Sequence, residues 1–314
     1  MWHELSHDFI YSFLALEGKL AEAMHFFIYD TVKIWFLLLT IIYTVSFLRT
    51  WFNTEYVRAY LQGKSAFYGH VAAAGFGIIT PFCSCSAIPL FLGFIQARIP
   101  LGVTFSYLIS APMNNEIAIA MLFGIFGWKI TAIYIFFGLF VAIFGGWIIG
   151  KLNLEKEILL DIKPIDEDLQ AQMIKLTFKE RSLEAWNASY DIFKKVYLYV
   201  LIGVGVGAWI HGYIPTDFIA RYTGEDNPFA VIIAVLMGIP MYSNAAGVMP
   251  LVEVLTSKGM LLGTALSFMM AVTALSLPEA MILKKIISLK LIAIFFSIVG
   301  LGIIVIGYLF NTIL

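Results

Sequence analysis

Cysteine is nearly absent from this chain: Cys83 and Cys85 are the only two in 314 residues. A disulfide framework is therefore not expected, and closing a ring across a single intervening residue would strain the bond. Charge is scarce too. Asp, Glu, Lys and Arg make up 13% of residues, with a net charge of −1, so no basic surface suits nucleic acid. No GxxxxGK[ST] run occurs, which argues against ATP hydrolysis by this chain. The opening residues, MWHELSHDF, lack the basic n-region of a cleaved signal peptide. What is abundant is apolar. Hydrophobic residues make up 61%, and mean hydropathy is +0.88.

That composition predicts a polytopic, all-α membrane protein. Several continuous apolar runs approach the roughly 20 residues that cross hydrocarbon, whereas a β-barrel needs alternating segments of about 10. Residues 1–32 read as an interfacial, mildly acidic segment. Residues 33–150 form a first membrane half, with runs at 33–51, 66–97, 101–128 and 130–149. Residues 151–190 carry a dense mixture of Lys, Asp and Glu and read as a solvated cytoplasmic linker. Residues 191–314 form a second half, with runs at 192–213, 229–256, 259–282 and 289–310.

Two runs in each half are interrupted. The first half has TPFCSCSAIPLF and APMNNE; the second has IPMYSNAAGVMPLV and ALSLPE. Pro81 aligns with Pro240, Pro89 with Pro250, Gly102 with Gly263, Ser106 with Ser267, and Glu116 with Glu279. Placing Arg49, Arg58, Lys64, Arg98, the linker lysines, Lys284, Lys285 and Lys290 in the cytoplasm gives each half an odd number of crossings. The expected architecture is an inverted repeat with discontinuous helices and 8–10 membrane segments, a transporter signature.

Irregular backbone at membrane depth is tolerated where it lines a protein cavity. The residues at the breaks are thus the candidate site. Pro81 and Pro89 flank Cys83 and Cys85 and argue against a regular helix through them. In extended or turn backbone, i and i+2 side chains lean to one side and can share a soft ligand through thiolate sulfur. Any metal on Cys83 and Cys85 is a transported metalloid, not a resident one. Asn114, Asn115, Ser243 and Asn244 supply polar ligands. Glu116 and Glu279 are protonatable groups inside apolar segments, where ionisable residues are functional candidates by default. His70 is a further candidate for relaying a proton. The bland readings are small residues easing helix packing for the thiols and helix capping for Asn114 and Glu116.

The motifs FCSCSAIPLFLGF, YLISAPMNNE and PMYSNAAGVMPL together resemble the ArsP-type predicted permease family, over nearly the whole chain from about Lys33 onward. The resemblance implies a prokaryotic inner-membrane permease for efflux of trivalent organoarsenicals, with other solutes in related members. By motif it carries over Cys83, Cys85, Asn114, Asn115, Glu116, Ser243 and Asn244. Two thiols match the two exchangeable positions of a monosubstituted trivalent arsenical, whereas arsenite would favour a third sulfur.

The expectation is therefore a multi-pass permease of the plasma membrane, not an enzyme. It exports a small thiol-reactive solute, with proton coupling through Glu116 or Glu279. It needs no cofactor. Its partners are the substrate and the lipid bilayer. One rival is transport of another small solute, such as a sulfur-containing anion or thiol compound. The other is a membrane thiol-redox enzyme, against which the strained i, i+2 pair and the lack of other cysteines both count.

Overall fold

A computed structural model of the chain describes residues 19–49, 66–80, 84–96, 98–159, 177–213, 222–224, 227–241 and 245–313. The fold is all-α, with no strand among the described residues. The helices are α1 (Lys19–Arg49), α2 (Ala66–Ile79), α3 (Ser84–Gln96), α4 (Leu101–Met113), α5 (Glu116–Lys151), α6 (Phe178–Tyr213), α7 (Ala230–Gly238), α8 (Ala245–Ser257), α9 (Leu262–Ala274), α10 (Leu277–Leu283) and α11 (Leu289–Ile313).

Three stretches are long and apolar enough to cross a membrane: Glu116–Lys151, Leu262–Leu283 and Leu289–Ile313. Helix α5 shows how such a span divides its surface. Ala118, Leu122, Thr131, Tyr134, Gly138, Val141, Gly145 and Ile149 are buried. They recur at helical spacing and form one stripe. Phe136, Phe140, Phe144 and Trp147 are exposed on the other side. An apolar helix with a second apolar face left open is what lipid contact requires. By contrast, α3, α4, α8 and α9 have 13 residues each. At 1.5 Å per residue they reach about 20 Å, short of a roughly 30 Å hydrocarbon core.

The helices of the two halves recur in step. Helices α3 and α8 start at residues 84 and 245, and α4 and α9 at 101 and 262; both pairs are 161 positions apart and equal in length. Helices α5 and α10 start at 116 and 277, again 161 apart. Helix α5 kinks at Gly127, whose φ of 80° belongs to the region glycine tolerates. The second half instead breaks outright between Leu283 and Leu289.

The chain packs as two compact units interleaved in sequence. The first-repeat unit is 38–195 with 279–302; the second-repeat unit is 1–37, 196–278 and 303–314. The organising helix of each is buried all round: every residue of α4, and every residue of α9 from Gly263 onward. Glycine lets the backbones touch. A Cβ on Gly102 would lie 2.6 Å from the Gly146 carbonyl, and one on Gly263 would lie 2.6 Å from the Gly307 carbonyl.

Two expected boundaries fall inside helices. Helix α1 runs unbroken through residue 32 and α6 through residue 190. The cause at α6 is local. Thr177 opens a capping box: its N–H and Oγ both donate to the Glu180 carboxylate, at 2.8 and 2.6 Å. Thr177's hydroxyl and N–H together hold the Glu180 carboxyl below its ordinary range. On the other side of the expected linker, residues 157–159 form a strap. Ser288 N–H donates to the Glu157 carbonyl at 2.8 Å, Leu159 N–H to the Ile286 carbonyl at 2.9 Å, and Lys290 Nζ lies 3.1 Å from Glu157 Oε1.

Candidate functional site at the helix breaks

In the first-repeat unit, α2 and α4 run side by side in the same direction. His70 Nδ1 lies 2.8 Å from Ser106 Oγ, and Ser110 Oγ donates to the Ala74 carbonyl at 2.7 Å. Further on, a Cβ on Gly77 would stand 2.9 Å from Ala111 N. Parallel helices in contact that end at Ile79 and Met113 bring those two helix ends together. In the second-repeat unit, a Cβ on Gly238 of α7 would meet the Ala271 Cβ of α9 at 3.0 Å. There the breaks are joined outright: Leu277 N–H donates to the Ile239 carbonyl at 3.0 Å. Pro112 lies inside α4, one residue before its end, and leaves the Leu108 carbonyl without its helical partner.

The break after α4 is polar and well ordered. Asn114 is wholly buried; its Nδ2 donates to Ser110 Oγ at 3.3 Å, while its Oδ1 has no partner among the described residues. Asn115 caps α5, its Oδ1 accepting from Ile117 N–H at 2.9 Å. Buried Tyr134 reaches back from α5 to donate to the Met113 carbonyl at 2.8 Å. Glu116 is exposed. The capping anticipated for Asn114 is therefore performed by Asn115, because the helix restarts one residue later.

In the second half, Ser276 lies in the break and is buried, with an unpartnered Oγ; Glu279 of α10 is wholly buried, with both carboxyl oxygens unpartnered among the described residues. The helix register also corrects the pairing of the carboxylates. Counting 161 positions from Glu116 reaches Leu277, not Glu279. Both Glu116 and Leu277 are exposed. Glu279 instead matches Ala118, and both are buried; four residues on, Leu122 and Leu283 are both fully buried. The aligned carboxylates misled because SAPMNNE and ALSLPE place them two residues apart in helical register.

Cys83, Ser243 and Asn244 lie outside the described residues. Helix α3 begins at Ser84, so the backbone at Cys85 is already helical. This corrects the expectation that the prolines keep both cysteines off a helix. Pro89 is the sixth residue of α3, as Pro250 is of α8. A proline there has no N–H for the carbonyl four residues back, which in α3 is that of Cys85. The helix persists, with the Cys85 carbonyl released from the ladder. No cluster of three or more His, Cys, Asp or Glu able to hold a metal occurs among the described residues.

Apolar helices interrupted in pairs, with buried unpartnered polar atoms at the breaks, define a membrane permease. The comparisons agree. The ArsP-type family, described as a predicted permease, matches residues 19–312, and the chain belongs to it. A UPF0718 protein of Methanocaldococcus jannaschii is 24% identical over 311 residues, covering 79% of this chain and 85% of the relative. The UPF0718 protein YraQ of Escherichia coli is 22% identical over 247 residues, covering 78% and 68%. No solved structure matches.

Proposed function

We propose that this permease exports a small, thiol-reactive solute across a prokaryotic plasma membrane, and that the solute is a trivalent organoarsenical. The observation that supports the reading is the pairing of breaks: parallel half-helices end side by side, and one of the half-helices that restart does so at Ser84, next in sequence to both cysteines. Cys83 or Cys85 binds the arsenic by displacing one of its hydroxyls as water, one thiol at a time or by exchange between them, and hydrolysis of the As–S bond by water reverses the step and keeps release fast. Asn114, Asn115, Ser243 and Asn244 supply polar ligands to the solute. Protonation at Glu116 or Glu279 couples export to the proton gradient. Inverted halves with 8–10 segments would let the same site open to either side. The lipid bilayer is the only partner this scheme needs besides the substrate.

The test is methylarsenite accumulation in everted membrane vesicles, comparing wild type with Cys83→Ser, Cys85→Ser and the double variant. Accumulation lost in every variant while the protein remains inserted is the expected result. Accumulation indifferent to both thiols would make them packing residues. The polar side chains at the break, Asn114 and Asn115, would also suit a second substrate class, a sulfur-containing anion. Thiosulfate uptake in the same vesicles, with no methylarsenite uptake, would favour it.

A further inference from the structure

The register shift between the carboxylates has a consequence for the coupling ion. We propose that Glu279 is a monovalent-cation site, its carboxyl holding a proton or a sodium ion in the closed protein, and that Glu116 is not a second copy of it. This rests on the permease reading and assigns its coupling group to one residue in one half.

Glu279 has no exposed surface, and neither carboxyl oxygen has a hydrogen-bond partner among the described residues. A carboxylate in that state has lost water without receiving anything in return. Helix α10 itself contains no Lys, Arg or His that could neutralise it. The next cationic residues along the chain, Lys284 and Lys285, are exposed. A small cation bound to the carboxyl removes the conflict, and a proton or sodium ion is small enough for a site packed this closely.

The same slot in the other half is filled by Ala118. Packing alone therefore asks for a small apolar side chain there. A glutamate in its place is costly unless its charge is titrated by something that comes and goes. Glu116, being exposed, suffers no such conflict. Glu279 also sits in a seven-residue helix between two breaks, at Leu275–Ser276 and at 284–288.

The test needs no substrate, so it is independent of which solute is carried. Infrared spectra of the purified full-length protein in detergent, at neutral pH, report protonated carboxyl groups through their C=O stretch and its shift in D2O. Without sodium, wild type and Glu116→Gln are expected to show this band, and Glu279→Gln to lack it. Should Glu279→Gln not fold, Glu279→Asp serves instead, with the band shifted. Sodium titration separates the ions. A band that persists at high sodium assigns a proton; a band that disappears with sodium in wild type assigns sodium. A band identical in wild type, Glu279→Gln and Glu279→Asp, with and without sodium, overturns the proposal.

Discussion

The two repeats share a scaffold and differ in what they place in it. Gly102 and Gly263 allow the same backbone contact, and Ser106 and Ser267 turn their hydroxyls to the same carbonyl four residues back. The breaks diverge. The first repeat buries an asparagine where the second has Leu275, and leaves its glutamate exposed; the second buries its glutamate where the first has alanine. The thiols belong to the first repeat alone. Geometry is thus held in common while chemistry is divided along the sequence: the first half carries the thiols and the buried asparagine, the second the buried acid.

The strongest way to break this comparison is to attack the shared scaffold. Gly102→Val and Gly263→Val each force atoms into a backbone contact. Overpacking of this kind costs about 1–3 kcal/mol, and both should lower the detergent melting temperature by similar amounts. A large loss in one repeat only would mean the two seams are not equivalent. Next come the carboxylates. Glu279→Gln should abolish accumulation driven by an ion gradient, while Glu116→Gln should reduce it no more than about threefold, roughly 0.65 kcal/mol at 1.4 kcal/mol per decade; equal losses would restore them as a pair.

A smaller effect separates the serines. Ser106→Ala leaves buried His70 without its Ser106 contact and should cost about 1–3 kcal/mol. Ser267→Ala removes bonds to helix carbonyls only and should cost about 0.5–1 kcal/mol. Thermal unfolding of the two variants, side by side, checks the order.

The smallest expected effect lies at the exposed strap. Ser288's hydrogen bond, and then Lys290, hold the Glu157 carboxyl below its ordinary range. A depressed carboxyl stabilises above its unfolded value, near 4.3, and the contribution is lost as pH falls through the folded value. Protection of the amides at 157–159, measured against the unfolded exchange rate at each pH, should therefore fall only under acid conditions, and high salt should weaken the strap at neutral pH. Unchanged exchange in Lys290→Ala would show that the backbone bonds alone hold it.

Much of the scaffold was legible in the sequence because it is written in long apolar runs and prolines. The interrupted runs at 66–97, 101–128, 229–256 and 259–282 each became broken helices, and Gly102/Gly263 and Ser106/Ser267 fell in true register. The cysteine conformation was not legible, because Pro89 sits far enough into α3 to remove one hydrogen bond without ending the helix. Nor was the pairing of the carboxylates, since identical residues at the ends of two similar strings outweighed a two-residue shift that only helix starts reveal. Ser276 went unnoticed for the opposite reason. A lone serine gives no signal until its counterpart, the cap Asn115, is known.

The central claim is that the break carrying the thiols lines the substrate path. Its most direct test is the rate at which a small maleimide labels Cys83 and Cys85 in the purified protein, followed by intact mass, with and without methylarsenite. The account predicts two labelled thiols per chain, protection of both by methylarsenite, and single protection in Cys83→Ser or Cys85→Ser. Labelling at the same rate with methylarsenite present would contradict it.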